Sequence, residues 1–472
     1  MRIGFLFVSA ALILGGFFSL MAAAYALSGF LEGVGIEHLG IHGLSGIGVI
    51  AVVMLGGVMV LSTLLTMAER KWSALIQNRV GPNRIHLPIP GLKDNALFGL
   101  PHIAPDVLKM LSKEAFRPKA ANKFLFDLAP MLAFGPVFAL FAIVPAGPTL
   151  DIFGHRVMMA VASPDFGLLY LFAIASLAVY GTSLAGWSSN NKFALLGGVR
   201  ASSQMISYEV ALGLSLVGMM ISFSTVRLSG VGGIAESQAA YLWSTHIGSL
   251  DVGLPMWGIF IQPLGFVLFF AASFAETKRA PFDSPEGESE IVGYFLEYSG
   301  MQFGMFMISE FVEVVVLSGV LVTIFFGAWH LPFGNEALQQ VQFLRDYPIL
   351  MGALFGTVFW LKVLALIFLQ LLIRWTFPRF RYDQVQNLGW KILLPMGLFN
   401  LFVTGALILW DPSLRYLALF GFVVIGIFLF LSLTPPRQVR LAEAAADDHG
   451  GGHGHGGHDD HGDAHALPAN TH

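Results

Sequence analysis

The sequence predicts an all-α polytopic membrane protein, and three observations predict it. Hydrophobic residues make up 55% of the 472 residues and charged residues only 12%, with a mean hydropathy of +0.70, far from the composition of a soluble domain. The apolar residues gather in runs of about 20, the length an α-helix needs to cross the hydrocarbon layer. Those runs are apolar on every side and rich in Leu, Phe, Gly and Ala, whereas the strands of a membrane barrel would alternate apolar with polar residues.

About ten spans follow, at 4–28, 46–68, 127–147, 166–187, 204–225, 254–275, 300–328, 348–373, 391–410 and 413–433. The first follows Met1-Arg2 and ends near Ala24-Tyr25-Ala26, which also fits a signal peptide cleaved after about residue 26. Its apolar run exceeds a usual signal core, which favours a retained helix. The second span opens with Gly46-Ile47-Gly48-Val49-Ile50-Ala51, a GxGxxA pattern. Because it begins a membrane helix and follows no strand, it does not signal a dinucleotide site.

Residues 69–126 form the longest connection and mix basic residues with Gly-Pro turns. Within it Asp106, Lys109, Lys113 and Glu114 recur at helical spacing around Val107, Leu108, Met110 and Leu111, the pattern of a helix on or beside the membrane surface. Placing Met1 inside puts 69–126, 188–203, 276–299, 374–391 and 434–472 on the cytoplasmic side with 21 of the 26 lysines and arginines, against four on the other side. That asymmetry predicts a cytoplasmic N-terminus and a cytoplasmic tail. The tail beyond Ala442 is rich in His, Gly and Asp, including His449, His453, His455, His458 and His461, too polar to build a core and expected to be disordered.

With no cysteine the chain cannot ligate an iron–sulfur cluster through thiolates or form a disulfide, so any electron transfer uses a partner's cofactors. Walker, HExxH and GxSxG motifs are absent and nothing points to nucleic acid; the closely spaced tail histidines could bind zinc or nickel opportunistically, but a tail without a metal role is favoured.

Chemistry is expected where charge enters this apolar chain. Residues 276–290 hold five carboxylates (Glu276, Asp283, Glu286, Glu288, Glu290) and two cations (Lys278, Arg279) between two spans. Pro281 and Pro285 interrupt any helix there and Gly287 allows a tight turn. Within spans lie Glu209, Glu310, Glu313 and Lys362, each costing about 2.5–3.5 kcal/mol at the bilayer centre unless partnered or hydrated. Glu310 and Glu313, three apart, share a helix face, and Lys362 is expected either to join them in a relay or to neutralise a carboxylate.

Several motifs carry a resemblance. They are Glu69-Arg70-Lys71, Arg79-Val80-Gly81-Pro82-Asn83-Arg84, Lys113-Glu114, Gly186-Trp187-Ser188-Ser189-Asn190-Asn191-Lys192, Gly198-Val199-Arg200-Ala201, Ser207-Tyr208-Glu209, the 275–290 segment, and Thr376-Phe377-Pro378-Arg379-Phe380-Arg381-Tyr382-Asp383-Gln384. In order and spacing, over about 46–410, the chain resembles the H-type membrane subunits of the respiratory NADH-quinone oxidoreductase, complex I. The resemblance implies an eight-helix core that anchors a hydrophilic arm and forms much of the chamber where ubiquinone or menaquinone is reduced by a neighbouring subunit's iron–sulfur cluster. It implies a translocase subunit of the bacterial inner membrane whose partners are the other complex I subunits and the bilayer. It further implies that Glu69, Glu209, Glu276, Asp283, Glu286, Glu288, Glu290 and Glu310 belong to the quinone chamber and its proton path, with Arg200 and Arg279 as basic partners. Lys113 and Glu114 would then face the hydrophilic arm.

The chain departs from the family's pattern in several places. Roughly ten residues are added after Arg84, Glu313 stands where a neutral polar residue is more usual, and Trp375 replaces a small residue. The expected organisation is an added N-terminal helix and outer loop (1–45), the family core (46–410), an added C-terminal helix (411–434) and the tail (435–472). Two alternatives stay open on sequence alone. One is the homologous subunit of a membrane-bound hydrogenase or ferredoxin-dependent complex; the other is a secondary transporter with a midplane site at Glu310, Glu313 and Lys362.

Overall fold

A computed structural model of the chain describes residues 2–33, 44–85, 97–247, 250–287, 290–332 and 346–433. Glu288, the added residues beyond Arg84 and the histidine-rich tail fall outside the described residues. Helices dominate: α1 (Arg2–Gly33), α2 (Leu44–Ile76), α3 (Ile103–Ser112), α4 (Lys123–Phe141), α5 (Gly167–Ser188), α6 (Lys192–Phe223), the short α7 (Ile234–Ser237) and α8 (Gly258–Ile261), α9 (Pro263–Glu276), α10 (Gly300–Phe325), α11 (Pro348–Thr376), α12 (Tyr382–Trp410) and α13 (Arg415–Leu433). Among the described residues seven helices are long and apolar enough to cross a membrane, and three shorter apolar helices stand at Leu14–Phe30, Pro263–Glu276 and Arg415–Leu431. Together they occupy the ten expected spans.

The centre of the bundle is α10, in which every residue from Ser309 to Phe325 is buried. It packs against α2, α4 and α11. Lipid tails are as apolar as leucine, so helices in a bilayer are held by close packing more than by escape from water. Two contacts illustrate this. A β-carbon on Gly186 of α5 would come 2.6 Å from the Ala194 carbonyl of α6, and on α11 β-carbons on Gly352 and Gly356 would collide with Tyr25 and Met21 of α1. Through that small-residue face α1 buries Met21, Ala24, Tyr25 and Ser28, and the Tyr25 hydroxyl donates to the Pro148 carbonyl at 2.8 Å.

Three features depart from the expected spans. Helix α6 begins at Lys192, not 204, because Asn191 caps it by accepting from the Phe193 amide at 3.0 Å. Residues 188–203, read as a connection, are therefore mostly helix. The span expected at 254–275 is broken at Gln262, whose backbone (φ −130°, ψ 59°) is non-helical. The break survives in an apolar setting because the Gln262 side chain donates to Thr404 Oγ1 at 2.7 Å and accepts from Asn400 Nδ2 at 2.9 Å. Finally, two antiparallel hairpins, β1 (Leu150–Ile152) with β2 (His155–Val157) and β3 (Tyr241–Ile247) with β4 (Leu250–Pro255), join helices. The second packs Leu242 against Ile261, Leu414 and Leu417.

The amphipathic stretch is realised as α3, which has no fully buried residue and rests against the start of α10, with Met110 Sδ 3.1 Å from where a Gly304 β-carbon would stand. A π-helical segment, Leu388–Leu393, interrupts α12.

Candidate functional site

Glu69 lies in the last two turns of α2 and is buried. Its two oxygens meet different cations, Arg374 Nη1 of α11 at 2.6 Å and Arg279 Nη1 of the loop after α9 at 3.2 Å. The Arg279 guanidinium also sits 4.1 Å from the centroid of Phe311 on α10. A carboxylate shared between two guanidinium groups is stable at low dielectric because each desolvated charge faces its opposite.

These residues form one wall of a cavity of about 540 Å³ between α2, α10, α11 and the loop 277–299, lined by Glu69, Arg279, Glu286, Phe303, Glu310 and Trp375 among others. A second cavity of about 380 Å³ shares Arg70, Phe303 and Met307 with it and reaches α3 through Asp106, Lys109 and Lys113. The chain thus holds a polar-walled chamber with an apolar side, and a neighbouring cavity that shares part of its wall extends to α3.

From the chamber a line of ionisable groups leads inward. The Tyr294 hydroxyl donates to Glu310 Oε1 at 3.2 Å, and Glu286 lies near enough to Glu310 for the two carboxyl groups to act on each other's charge. Lys278 follows, with its ammonium 3.8 Å from Glu313 Oε2. Glu313 in turn lines a small void of about 20 Å³ together with Glu276 and Glu209. Glu276 Oε2 is buried with no hydrogen-bond partner among the described residues.

The loop that carries this line is held from below. Gln204 of α6 donates to the carbonyls of Ala275 and Phe282, both at 2.8 Å, and accepts from Ser284 Oγ at 2.7 Å. Asp283 pairs with Arg379 Nη2 at 2.6 Å. Burial lifts the Asp283 carboxyl to about 6 even against Arg379. Burial and then the neighbouring Glu310 push Glu286 well above the ordinary glutamate range. Lys278 is lifted, since Glu313, Glu310, Glu286 and Glu276 outweigh the burial that opposes its charge. Arg279 is lowered by burial, which Glu69 only partly offsets. Acids that hold protons near neutrality next to a fixed cation are what proton exchange requires.

Of the residues singled out in sequence, the structure gathers Glu69, Arg279, Glu286 and Glu310 at the chamber and Glu313, Glu276 and Glu209 at the inner void. Arg200 and Glu290 pair with each other at 2.8 Å on a half-exposed surface, away from that line. Lys113 is exposed and the Glu114 carbonyl accepts from Ser299 Oγ at 3.1 Å. Lys362 does not join the acids: its ammonium donates to the carbonyls of Phe326 (2.7 Å), Ala328 (3.0 Å) and His330 (2.5 Å) beyond the end of α10. This separates the three groups from which a midplane transporter site was composed. Sequence reasoning gave no role to Lys278, Tyr294, Arg374 or Arg379, although Lys278 and Arg379 stand inside the motifs that carry the resemblance.

Comparison with known proteins bears on this arrangement directly. The sequence profile of the NADH dehydrogenase family matches residues 4–405, a range that takes in α1 and stops short of α13. The NADH-quinone oxidoreductase H subunit 1 of Cytophaga hutchinsonii is 40% identical over 352 residues, 74% of this chain and 93% of the relative. The corresponding H subunit of Flavobacterium johnsoniae is 38% identical over 362 residues, 76% of this chain and 94% of the relative. The H subunit 1 of Geobacter metallireducens is 40% identical over 349 residues, 74% of this chain and 92% of the relative.

Proposed function

Because the chain belongs to the NADH dehydrogenase family, we propose that it is the H-type membrane subunit of a proton-pumping NADH-quinone oxidoreductase, where it walls the quinone chamber and begins the proton path. One observation carries this reading: the cavity of about 540 Å³ has Glu69, Glu286 and Glu310 in its wall, and Lys278 links that wall to Glu313, Glu276 and Glu209.

The chemistry follows from charge at low dielectric. Reduction of a quinone to a quinol consumes two electrons and two protons, so charge changes inside the chamber, where weak screening amplifies every field. Added negative charge favours proton uptake by Glu286 and Glu310 and draws Lys278 toward them. Glu313, losing its cation, then takes a proton in turn, and the change passes through Glu276 to Glu209. Electrons come from a partner's iron–sulfur centre, and the surface that carries α3, Lys113 and Glu114 receives the hydrophilic arm. Ubiquinone and menaquinone both suit such a chamber. We infer that both ends of the chain lie on the cytoplasmic side of a bacterial inner membrane, a reading supported by the distribution of lysine and arginine.

The test is Glu209→Gln or Glu286→Gln in the assembled complex. Quinone reductase and proton translocation are expected to fall together, by about tenfold or more, approaching the loss typical of removing one proton-transfer group. Full turnover and full pumping in either variant would overturn the assignment.

A further inference from the structure

Lys362 sits fourteen residues from either end of α11 (Pro348–Thr376), so its backbone lies about 21 Å from both helix ends. Its ammonium meets three backbone carbonyls at 2.5–3.0 Å. A neutral amine has two N–H groups and an ammonium three, so the three acceptors match the donor count of the ammonium. The carbonyls belong to residues 326, 328 and 330, just past the end of α10, where unpaired carbonyls and the helix dipole concentrate negative charge. The Trp257 ring completes the site, its centroid 4.3 Å from Nζ.

The same helix bears the acids of the proton path at its other end. Between them α10 is not wholly apolar. Gln370 of α11 donates to Ser318 Oγ at 3.1 Å and borders a void of about 10 Å³ that it shares with Arg279 and Arg374 of the chamber wall. Further along, Gln238 donates to the Thr323 carbonyl at 2.8 Å and accepts from the Gly258 and Gly327 amides. These are the polar groups that stand along α10 between the chamber and the opposite face, and the lysine lies at the far end.

We propose that the Lys362 ammonium is an electrostatic barrier that keeps protons from escaping along the buried polar groups of α10 and α11 to the opposite face of the membrane. A fixed cation excludes hydronium from a narrow polar route by repulsion, as positive charges do in water-conducting pores. The proposal rests on reading Glu310 and Glu313 as part of a proton path; given that path, a leak at its back would dissipate the gradient it helps to build.

The experiment uses the whole complex in sealed vesicles and follows passive proton flux under an imposed pH gradient, without NADH or quinone. K362Q and K362M are expected to raise that flux by about tenfold, equal to about 1.4 kcal/mol in the barrier, while K362R stays as tight as the parent and uncoupled turnover is unchanged. Equal tightness in the neutral variants, or a leak in K362R as large as theirs, overturns the proposal. Should the neutral variants fail to assemble, K362H carries the test, because an imidazole is charged at about pH 5.5 and neutral at about pH 8. Tight vesicles at the lower pH and leaky ones at the higher support the barrier; equal flux at both removes it. His330, the titratable side chain on the capped segment, bonds the Ala235 carbonyl and is present in every variant. A parent complex that moves no protons with quinone turnover would sink the proposed function yet leave the flux comparison intact.

Discussion

The two ends of α10 treat buried polarity in opposite ways. Toward Gly300 the polar groups are acids in excess of their cations, bordering cavities: Glu310 and Glu286 act on each other as neighbouring carboxyl groups, and Glu313 shares Lys278 with other carboxylates. Toward Phe325 they are amides, hydroxyls and one ammonium, with the oxygens and nitrogens of Gln238, Gln262 and Lys362 matched to partners. The lesson is that burial alone does not mark a working site in a membrane protein. A satisfied network holds helices in place, while an incompletely matched set of acids beside a void can exchange protons.

The largest expected effect tests whether the acid-bearing end is also structural. Glu69→Ala removes the carboxylate that Arg279 and Arg374 both contact, leaving only the more distant Glu286 and Glu310 to offset Arg279, and breaking a buried pair costs about 3–5 kcal/mol. The detergent-solubilised complex should lose thermal stability or fail to assemble. A variant with unchanged melting and normal subunit content would show that Glu69 is dispensable to the fold and that the acid-bearing end holds no structural charge.

A smaller loss is expected at the opposite end. Gln262→Leu strands Asn400 and Thr404 and should cost about 1–3 kcal/mol, the penalty for unsatisfied buried polar groups. The prediction sharpens the contrast through activity: thermal stability should fall while quinone reductase per assembled complex stays within about twofold, since a satisfied network far from the reacting groups supplies scaffold only. A large drop in turnover without loss of stability would move Gln262 into the working machinery.

How much of this was legible beforehand depends on what each feature needs. Spans were readable because hydrocarbon thickness imposes a length on apolar runs. The broken helix at Gln262 was not, because a single amide satisfied by Asn400 and Thr404, some 140 residues away in sequence, leaves no local signature. The hairpins escaped because their strands of three to seven residues sit below the scale of a membrane span. Glu310 and Glu313 stood out as isolated charges in apolar sequence, but which cation each meets is a tertiary fact. Lys278 adjoins Arg279 in the chain, yet one faces Glu313 and the other Glu69. Lys362 shows the same limit from the other side: its charge was conspicuous, and its partners are carbonyls that sequence cannot rank.

The mildest test concerns the loop that leads into the acid-bearing end. Burial places the Asp283 carboxyl at about 6, above its ordinary value of 3.8, so the group favours the folded loop below the ordinary value and that contribution is lost as the pH rises through about 6. The Arg379 pair has the opposite dependence, forming as Asp283 ionises and dissolving when it is protonated. If this loop transmits charge from the chamber, the pH profile of quinone reduction should bend near 6, and Asp283→Asn should remove the bend while changing the plateau rate by less than about threefold, because the amide still accepts a hydrogen bond from Arg379. A profile with the same bend in parent and variant would assign it to Glu286 or to a partner protein. Gln204→Leu in addition separates loop position from loop charge. It frees the backbone that Gln204 holds at Ala275 and Phe282, so it should lower the rate at every pH and leave the bend where it was.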